Sequence, residues 1–466
     1  MLRIFGHFVP APALALAFSE ILLLAAAFYF VNAPAEAAEL RLVLRPAEAS
    51  LGAAALAVVA MLAVGLYHYD VFLDPRLMAL KALTALLLLA PLAAAGALLS
   101  EDALASGGDW AVWCLKASFA WMLSVLLTRS VFLNCAGSER FRRPIVVIGT
   151  GVRAGRIAEL LRAGGNRLFR PLGFIHACGD LRIVLGAKLD LDRAEDEGAL
   201  ARYAAEAGAR EVVVATDERR GLPVRQLLHC KTAGINVIEY LTFWERETRK
   251  IELDSLQPSW LVFSDGFRQG WLIDLGKRCF DIAVSLALLV FTLPLMALAA
   301  LAVLIEDGWP VFYRQERVGR GGVGFTLMKF RSMRKDAESA GLPQWARNAD
   351  PRVTRTGSII RKVRVDELPQ LLNVLKGDMS FVGPRPERPF FVAELARAIP
   401  FYTERHCVKP GITGWAQINY PYGASLDDAR QKLAYDLYYV KNRTLFLDFL
   451  ILIQTARVVL FQEGAR

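Results

Sequence analysis

Four apolar runs separated by short polar segments dominate the first part of the chain. They cover residues 10–31, 51–67, 77–99 and 111–128, and none contains more than one charged residue. Each run is near the length that an α-helix needs to cross a bilayer, and none has the polar face of a soluble surface helix. The pattern predicts four transmembrane helices over residues 1–135, with four buried helices of a soluble protein as the alternative.

The charges that flank these runs predict their orientation. Residues 100–109 contain three acids and no base, whereas four arginines follow the fourth run between positions 129 and 143. Basic flanks of membrane helices stay in the cytoplasm. The N-terminus and the residues after Arg143 are therefore predicted to face the cytoplasm, in a multi-pass membrane protein.

The pattern changes to short, alternating β-like and helical segments over residues 140–262. Residues 145–148 form an apolar run typical of a buried strand, and Gly149, Gly151 and Gly155 follow it. The alternation predicts a Rossmann-like, doubly wound parallel sheet. The glycines are compatible with a dinucleotide phosphate site at a helix N-terminus. The acid that this fingerprint places about 20 residues further on is missing, so a tight packing turn is the alternative and ligand binding stays open.

A fifth apolar run, at residues 282–305, carries no charge and has Pro294 near its midpoint. Lys277 and Arg278 precede it, and three arginines follow it at positions 314, 317 and 320, so both ends have a cytoplasmic type of flank. Proline removes a backbone donor and bends a helix. We predict a re-entrant helix over about residues 277–305 that breaks at Pro294, within an α-rich domain at 271–466. A kinked full span is the alternative.

The composition agrees with this membrane α/β fold class. The chain is 55% hydrophobic and 22% charged, with a net charge of +9 that suits anionic lipid, phosphorylated ligands or nucleic acid. Composition alone does not separate these ligands, so the positions of the charges decide. The six cysteines form no CxxC pair, which indicates neither a zinc site nor a disulfide framework.

Two adjacent acids, Asp366 and Glu367, precede a proline and an apolar stripe typical of a helix start. Acids at this position often cap helix amides and complement the helix dipole, which is the structural alternative. Two adjacent carboxylates can also bind Mg²⁺ through oxygen, with one of them acting as a nucleophile.

Basic and glycine residues near the acids favour the chemical interpretation. Arg361 precedes the acids, and Arg385 follows between two prolines. Guanidinium groups bind phosphate oxygens in a bidentate fork, although a solvated basic face is the alternative. Gly411 and Gly414 permit a close backbone approach to a ligand, with a plain turn as the alternative. Carboxylates, guanidiniums and a glycine-bearing loop together are typical of phosphoryl transfer.

The longer motifs resemble a known family, the bacterial sugar transferases or monotopic phosphoglycosyl transferases. The motifs are KRxFD at 277–281, DELPQL at 366–371, NVLKGDMSFVGPRPE at 373–387 and KPGITGWAQIN at 409–419. With the region before 271, the chain resembles the large undecaprenyl-phosphate hexose-1-phosphate transferases of exopolysaccharide systems. It departs from many relatives at Leu293, before the hairpin proline, and at Arg364-Val365, before the acids.

The resemblance implies a mechanism and a set of site residues. Asp366 would attack the β-phosphate of a UDP-sugar, leaving a covalent phospho-sugar that undecaprenyl phosphate then takes. Glu367 would assist, and both acids would bind Mg²⁺, with Mn²⁺ as a second candidate. The residues implied to bind substrate are Lys329, Arg331, Arg361, Arg385, Lys409, Gly411, Gly414 and Trp415.

The resemblance also implies partners and a location. The donor sugar would be glucose or galactose, the lipid surroundings would be the bacterial inner membrane, and the catalytic domain would face the cytoplasm. A homodimer is expected and nucleic acid is not. The reaction would initiate the synthesis of exopolysaccharide repeat units.

Two rival functions predict different features. A membrane-anchored nucleotide-sugar dehydratase or epimerase also places helices before a dinucleotide-binding domain, but it requires a YxxxK motif that the sequence lacks. A non-catalytic assembly scaffold would use Asp366 and Glu367 only as helix caps.

Overall fold

The computed structural model describes residues 2–4, 7–9, 11–32, 40–67, 78–86, 89, 109–136, 142–162, 169–177, 180, 183–184, 189–190, 196, 198–218, 222–267, 270–335, 337, 352–421, 423 and 425–461. The chain divides into two compact units, built mainly from Val9–Thr248 and from Arg249–Arg466.

The first unit begins with apolar helices. These helices are α1 (Ala11–Asn32), α2 (Leu40–Val64) and α3 (Asp109–Ala136). The paired strands β1 (Leu2–Ile4) and β2 (His7–Val9) precede them in the chain, and most residues of these strands belong to the second unit. Helices α1, α2 and α3 cover three of the four predicted runs. Of the third run, residues 78–86 are helical and most of the remainder lies outside the described residues. That four helices cross a membrane stays a prediction.

A buried ion pair explains the one charge in the first apolar run. The Nε of Arg129 lies 2.9 Å from the Oε1 of Glu20, and each side chain is only 1% exposed. Around the helices, Leu24, Met61 and Val125 belong to one buried apolar cluster. Pairing makes the burial of both charges tolerable among apolar helices.

The remainder of this unit is a parallel α/β sheet, as predicted. Its five strands have the order β5-β4-β3-β6-β7, and every neighbouring pair is parallel. Val146, Ile148 and Val212 are completely buried in its core. The elements are β3 (Arg143–Ile148), α4 (Val152–Arg162), β4 (Phe169–His176), β5 (Leu189–Asp190), α5 (Ala199–Glu206), β6 (Glu211–Val214), α6 (Val224–Thr232), β7 (Asn236–Glu239) and α7 (Tyr240–Thr248).

A carboxylate of the protein occupies the helix N-terminus at the predicted glycine turn. The backbone amides of Val152 and Arg153 donate to the two carboxylate oxygens of Asp217, at 2.7 and 3.0 Å. A Cβ on Gly151 would lie 2.0 Å from Asp217 Oδ2, so this position requires glycine for packing. The structure therefore favours the tight packing turn over the phosphate site.

The second unit begins with α8 (Pro258–Phe263) and the long helix α9 (Trp271–Asp307). Among the described residues, α9 alone is both long and apolar enough to cross a membrane. Its helical structure continues through Pro294, and Thr292 Oγ1 donates to the carbonyl of Leu288 at 2.6 Å. The bend at Pro294 and the return to the same face of the membrane stay predictions.

Besides α9, the second unit contains both strands and shorter helices. Strands β8 (Phe312–Val318) and β9 (Gly324–Phe330) form an antiparallel hairpin, and β10 (Ser380–Val382) pairs in parallel with β11 (Gly411–Thr413). The helices are α10 (Arg355–Lys362), α11 (Gln370–Lys376), α12 (Pro389–Ala398), α13 (Trp415–Asn419), α14 (Leu426–Asn442) and α15 (Leu445–Phe461), with 3-10 turns at Arg320–Gly322, Val365–Glu367 and Tyr402–Cys407.

The C-terminal half of α9 packs against the segment that precedes Asp366 and Glu367. Met296 and Val303 of this helix belong to one buried cluster with Phe330 of β9, Ile360 of α10 and Val365. Burial of such side chains is worth about 1.5–3 kcal/mol each. The turn that carries the two acids is therefore anchored to the apolar helix through Val365.

Candidate active site

The turn Val365–Glu367 places the two acids side by side. It begins at Arg364, whose φ of 59° lies in the left-handed region, and it leads into α11 after Pro369. Asp366 and Glu367 are 8% and 9% exposed. No side chain caps α11, so the capping role that would make the acids purely structural is not observed.

Two cations from separate elements hold Glu367. Lys329 of β9 places its Nζ 2.7 Å from Glu367 Oε1, and Arg385 places its Nη2 2.8 Å from the same oxygen. Burial alone would raise the pKa of Glu367, but Arg385, Lys329 and Arg364 together lower that pKa well below its usual range. Glu367 is therefore a fixed anion at neutral pH.

Asp366 differs from its neighbour because its carboxylate accepts no hydrogen bond from any described residue. Burial, followed by repulsion from Glu367, raises its pKa, while Lys329, Arg361 and Arg364 act in the opposite direction. A buried carboxylate without hydrogen bonds is poorly stabilised and retains its lone pairs for reaction. The two neighbouring carboxylates therefore differ: Glu367 is held by two cations, whereas Asp366 is bonded to no described residue.

Arg361 lies at the last turn of α10, close enough to Asp366 to lower its pKa. Its side chain makes no hydrogen bond or ion pair with any described residue. A guanidinium whose donors bond to none of the described residues is suited to an incoming phosphate. The structure thus brings together five predicted residues: Lys329, Arg361, Asp366, Glu367 and Arg385.

The two acids also fit a divalent cation. The described residues contain no group of three or more His, Cys, Asp or Glu side chains that could enclose a metal ion. Mg²⁺, however, commonly uses one or two carboxylates and completes its shell with water and substrate phosphates. Asp366 and Glu367 Oε2, which lies 4.0 Å from Arg364 Nη1, are oxygen ligands of this kind.

Two predicted binding residues lie away from the acids. Arg331 is buried, donates from Nη2 to the carbonyl of Asp307 at 3.0 Å, and pairs with the carboxylate of the same residue. It therefore neutralises the C-terminus of α9. The Nζ of Lys409 lies near Gly377. Burial and then Arg278 lower the pKa of Lys409, while Asp281 acts in the opposite direction.

The predicted glycines serve a close approach of backbone to backbone. A Cβ on Gly411 would lie 2.0 Å from the amide nitrogen of Gly383, and a Cβ on Gly414 would lie 2.2 Å from the Gly383 carbonyl oxygen. Trp415 is also built into the core, because its Nε1 donates to the carbonyl of Arg249 and its ring stacks on Tyr438. In this structure these residues support the fold next to the site.

Two arginines for which no role in the site was predicted, the half-buried Arg317 and the buried Arg405, hold the segment around Arg385. Arg317 Nη1 donates to the carbonyl of Pro386 at 3.1 Å, and Arg405 Nη2 donates to the carbonyl of Arg385 at 2.9 Å. Neither residue is near the acids in sequence. Their contacts arise from tertiary packing, which no local pattern indicates.

A buried carboxylate pair among lysine and arginine side chains is an arrangement suited to binding phosphorylated substrates. The family model described as bacterial sugar transferase matches residues 272–462. This region contains the whole candidate site.

The names of three similar proteins give a substrate or a process. A UDP-N-acetylgalactosamine-undecaprenyl-phosphate N-acetylgalactosaminephosphotransferase of Aeromonas hydrophila is 40% identical over 298 residues, covering 64% of this chain and 66% of the relative. An undecaprenyl-phosphate glucose phosphotransferase of Komagataeibacter xylinus is 32% identical, covering 70% of this chain and 61% of the relative. The exopolysaccharide production protein PSS of Rhizobium leguminosarum bv. phaseoli is 41% identical, covering 38% of this chain and 92% of the relative.

The chain belongs to the bacterial sugar transferase family. Its likeness to undecaprenyl-phosphate sugar phosphotransferases extends beyond the matched domain, because the alignments with the Aeromonas and Komagataeibacter proteins cover 64% and 70% of the chain. The alignments span 66% and 61% of those two relatives, respectively.

Proposed function

We propose that the protein transfers a sugar 1-phosphate from a UDP-sugar to undecaprenyl phosphate, and that Asp366 carries the group between them. The observation that supports this most directly is the asymmetry of the two acids. Glu367 is bonded to Lys329 and Arg385, whereas Asp366 is buried without a hydrogen bond from the described residues.

The first step forms one bond and breaks one. A carboxylate oxygen of Asp366 attacks the β-phosphorus of the UDP-sugar, and the bond from that phosphorus to the bridging oxygen breaks. UMP leaves with the electron pair, and an aspartyl phospho-sugar remains. In the second step, a phosphate oxygen of undecaprenyl phosphate attacks the same phosphorus, and the Asp366 carboxylate is released.

The surrounding cations match the charge that develops. Arg361 and Arg385 can bind the equatorial phosphate oxygens, and Lys329 with Arg385 keeps Glu367 ionised beside the reacting group. Mg²⁺ held by Asp366 and Glu367 would supply further neutralisation of the phosphates when bound. The exposed apolar surface of α9 supports a reaction at the membrane, where the lipid acceptor resides.

The names of the relatives support the choice of substrates and process. The Aeromonas and Komagataeibacter names specify undecaprenyl phosphate with N-acetylgalactosamine and glucose respectively, and the Rhizobium name refers to exopolysaccharide production. We therefore propose that the reaction initiates exopolysaccharide synthesis. The donor panel that tests it contains UDP-glucose, UDP-galactose and UDP-N-acetylgalactosamine.

The test uses the full-length protein in membranes and radiolabelled donors. Wild type should form labelled lipid and release UMP, and Asp366→Asn should lose at least about 10³-fold of this rate because the amide is not a nucleophile. Asp427→Asn is the matched control, since Asp427 is an exposed acid on α14, and it should retain the wild-type rate.

A second measurement isolates the intermediate. Intact-protein mass spectrometry of wild type incubated with donor alone should show the added mass of a sugar phosphate, and Asp366→Asn should show none. Product formation at the wild-type rate by Asp366→Asn would exclude Asp366 as the carrier.

A further inference from the structure

Arg405 is a buried cation in the C-terminal unit and does not contact either acid of the site. It is 5% exposed and lies in the 3-10 turn Tyr402–Cys407. Its Nη2 donates to the backbone carbonyl of Arg385 at 2.9 Å. Arg385, in turn, places its own Nη2 2.8 Å from Glu367 Oε1. Arg405 is thus two contacts away from the carboxylate pair.

The guanidinium of Arg405 is fixed from three directions. Asp436 of α14 accepts from its Nε at 3.1 Å and pairs with its Nη2 at 2.8 Å, and the Tyr402 hydroxyl accepts from its Nη1 at 2.8 Å. Asp436 is itself only 3% exposed. A planar fork held at all its nitrogens has a defined position, so the carbonyl that it binds is also held in position.

Arg385 is less buried than Lys329, the other cation that hydrogen-bonds Glu367. Its side chain is 33% exposed, and a long arginine side chain loses about 1.5–2 kcal/mol of rotamer freedom when it is fixed. Arg405 holds the backbone from which the Arg385 side chain extends, and this keeps the Arg385 guanidinium within reach of Glu367. Small displacements of such groups strongly affect reaction rates.

We propose that Arg405 is a positioning residue for Arg385, and that Asp436 holds it in this role. The inference rests on the proposed function, because the group that Arg405 positions is the phosphate-binding guanidinium of that reaction. Arg405 acts through the backbone of Arg385 and touches no substrate.

The test is a double-mutant cycle in full-length protein, with Arg405→Lys measured in the wild-type and Arg385→Ala backgrounds. Lysine keeps the charge but cannot reproduce the fork. In wild type, Arg405→Lys should lower kcat/KM by about 30-fold, through a lower kcat and a higher KM, because Arg385 binds the phosphate both before and during transfer. In Arg385→Ala it should lower kcat/KM by less than about threefold, because the positioned group is already absent.

The control is Arg443→Lys, since Arg443 also forms an ion pair in this unit, at 2.7 Å from Asp274. Its effect should be the same in both backgrounds. An equal loss from Arg405→Lys in both backgrounds, or no loss in wild type, overturns the proposal. If Arg405→Lys does not fold, Asp436→Asn takes its place in the same cycle with the same expected coupling.

The proposed function can fail without removing this test. A wild-type protein that binds UDP-sugar but forms no labelled lipid would defeat the proposed function. The same cycle is then measured by UDP-sugar affinity in titration calorimetry, where Arg405→Lys should weaken binding only when Arg385 is present. Equal weakening in both backgrounds defeats the positioning role by itself.

Discussion

The ammonium nitrogen of Lys329 lies 2.7 Å from Glu367 Oε1, on the oxygen that also receives Arg385. Both cations therefore bond to Glu367, and neither donates a hydrogen bond to Asp366. Two neighbouring carboxylates of similar burial therefore have opposite pKa shifts, upward for Asp366 and downward for Glu367. Opposed shifts of this kind are typical of groups with different chemical roles.

Amide substitutions of the two acids should have opposite effects on stability. Asp366→Asn removes a buried charge that accepts no hydrogen bond from the described residues. The free energy of unfolding should therefore stay level or rise by about 1 kcal/mol at neutral pH. Glu367→Gln leaves Lys329 and Arg385 without an anionic partner and should lower the free energy of unfolding by about 2–3 kcal/mol. Thermal unfolding in detergent measures both. Equal shifts for the two variants would contradict the asymmetry.

The rate should fall on the acid side at a higher pH than for an ordinary aspartate. Attack requires ionised Asp366, and burial with Glu367 raises its pKa, so the active fraction is lost as pH falls through that raised value. Arg361 is among the cations that lower the pKa of Asp366. Arg361→Gln should therefore move the acid limb of the pH profile of kcat to still higher pH. A limb unchanged by that substitution would remove Arg361 from the surroundings of Asp366.

Gly411→Ala should destabilise the unit by more than about 3 kcal/mol, because the new methyl group would overlap the backbone of the neighbouring segment. A Cβ there would lie 2.0 Å from the Gly383 nitrogen. Gly270→Ala is the comparison, since its nearest atom is a side-chain carbon 4.0 Å away. Circular dichroism melts of both variants test this, and equal melting temperatures would contradict it.

Arg331→Met should affect stability more than substrate binding. The arginine donates to the carbonyl of Asp307 at the half-buried end of α9, so its loss leaves this carbonyl without that hydrogen bond and should cost about 1–3 kcal/mol. KM for the UDP-sugar should change by less than about twofold in the surviving folded protein. A large rise in KM with an unchanged melting temperature would restore the binding role implied by the family resemblance.

The sequence predicted the strands and helices that depend on a short run of neighbouring residues. The apolar run at 145–148 became a central strand of a parallel sheet, and the proline after the acids precedes helix α11. The sequence and the family resemblance also predicted three of the cations around the acids, Lys329, Arg361 and Arg385.

Motifs did not reveal the direction of each side chain. Arg331 is two residues from Lys329, but it turns to the end of α9 instead of the acids. Trp415 and the glycines of its motif are required for packing. Arg405 was missed because its contact with Arg385 spans 20 residues of sequence and depends on how α14 packs.

The carboxylate of Asp217 has a consequence beyond the fold of the parallel sheet. It already satisfies the amides of Val152 and Arg153, which are the donors that a pyrophosphate would need at this turn. An incoming NAD would have to expel an anion that the chain itself supplies. Added NAD should therefore leave the melting temperature of this unit unchanged, because the two amides are already bonded to Asp217.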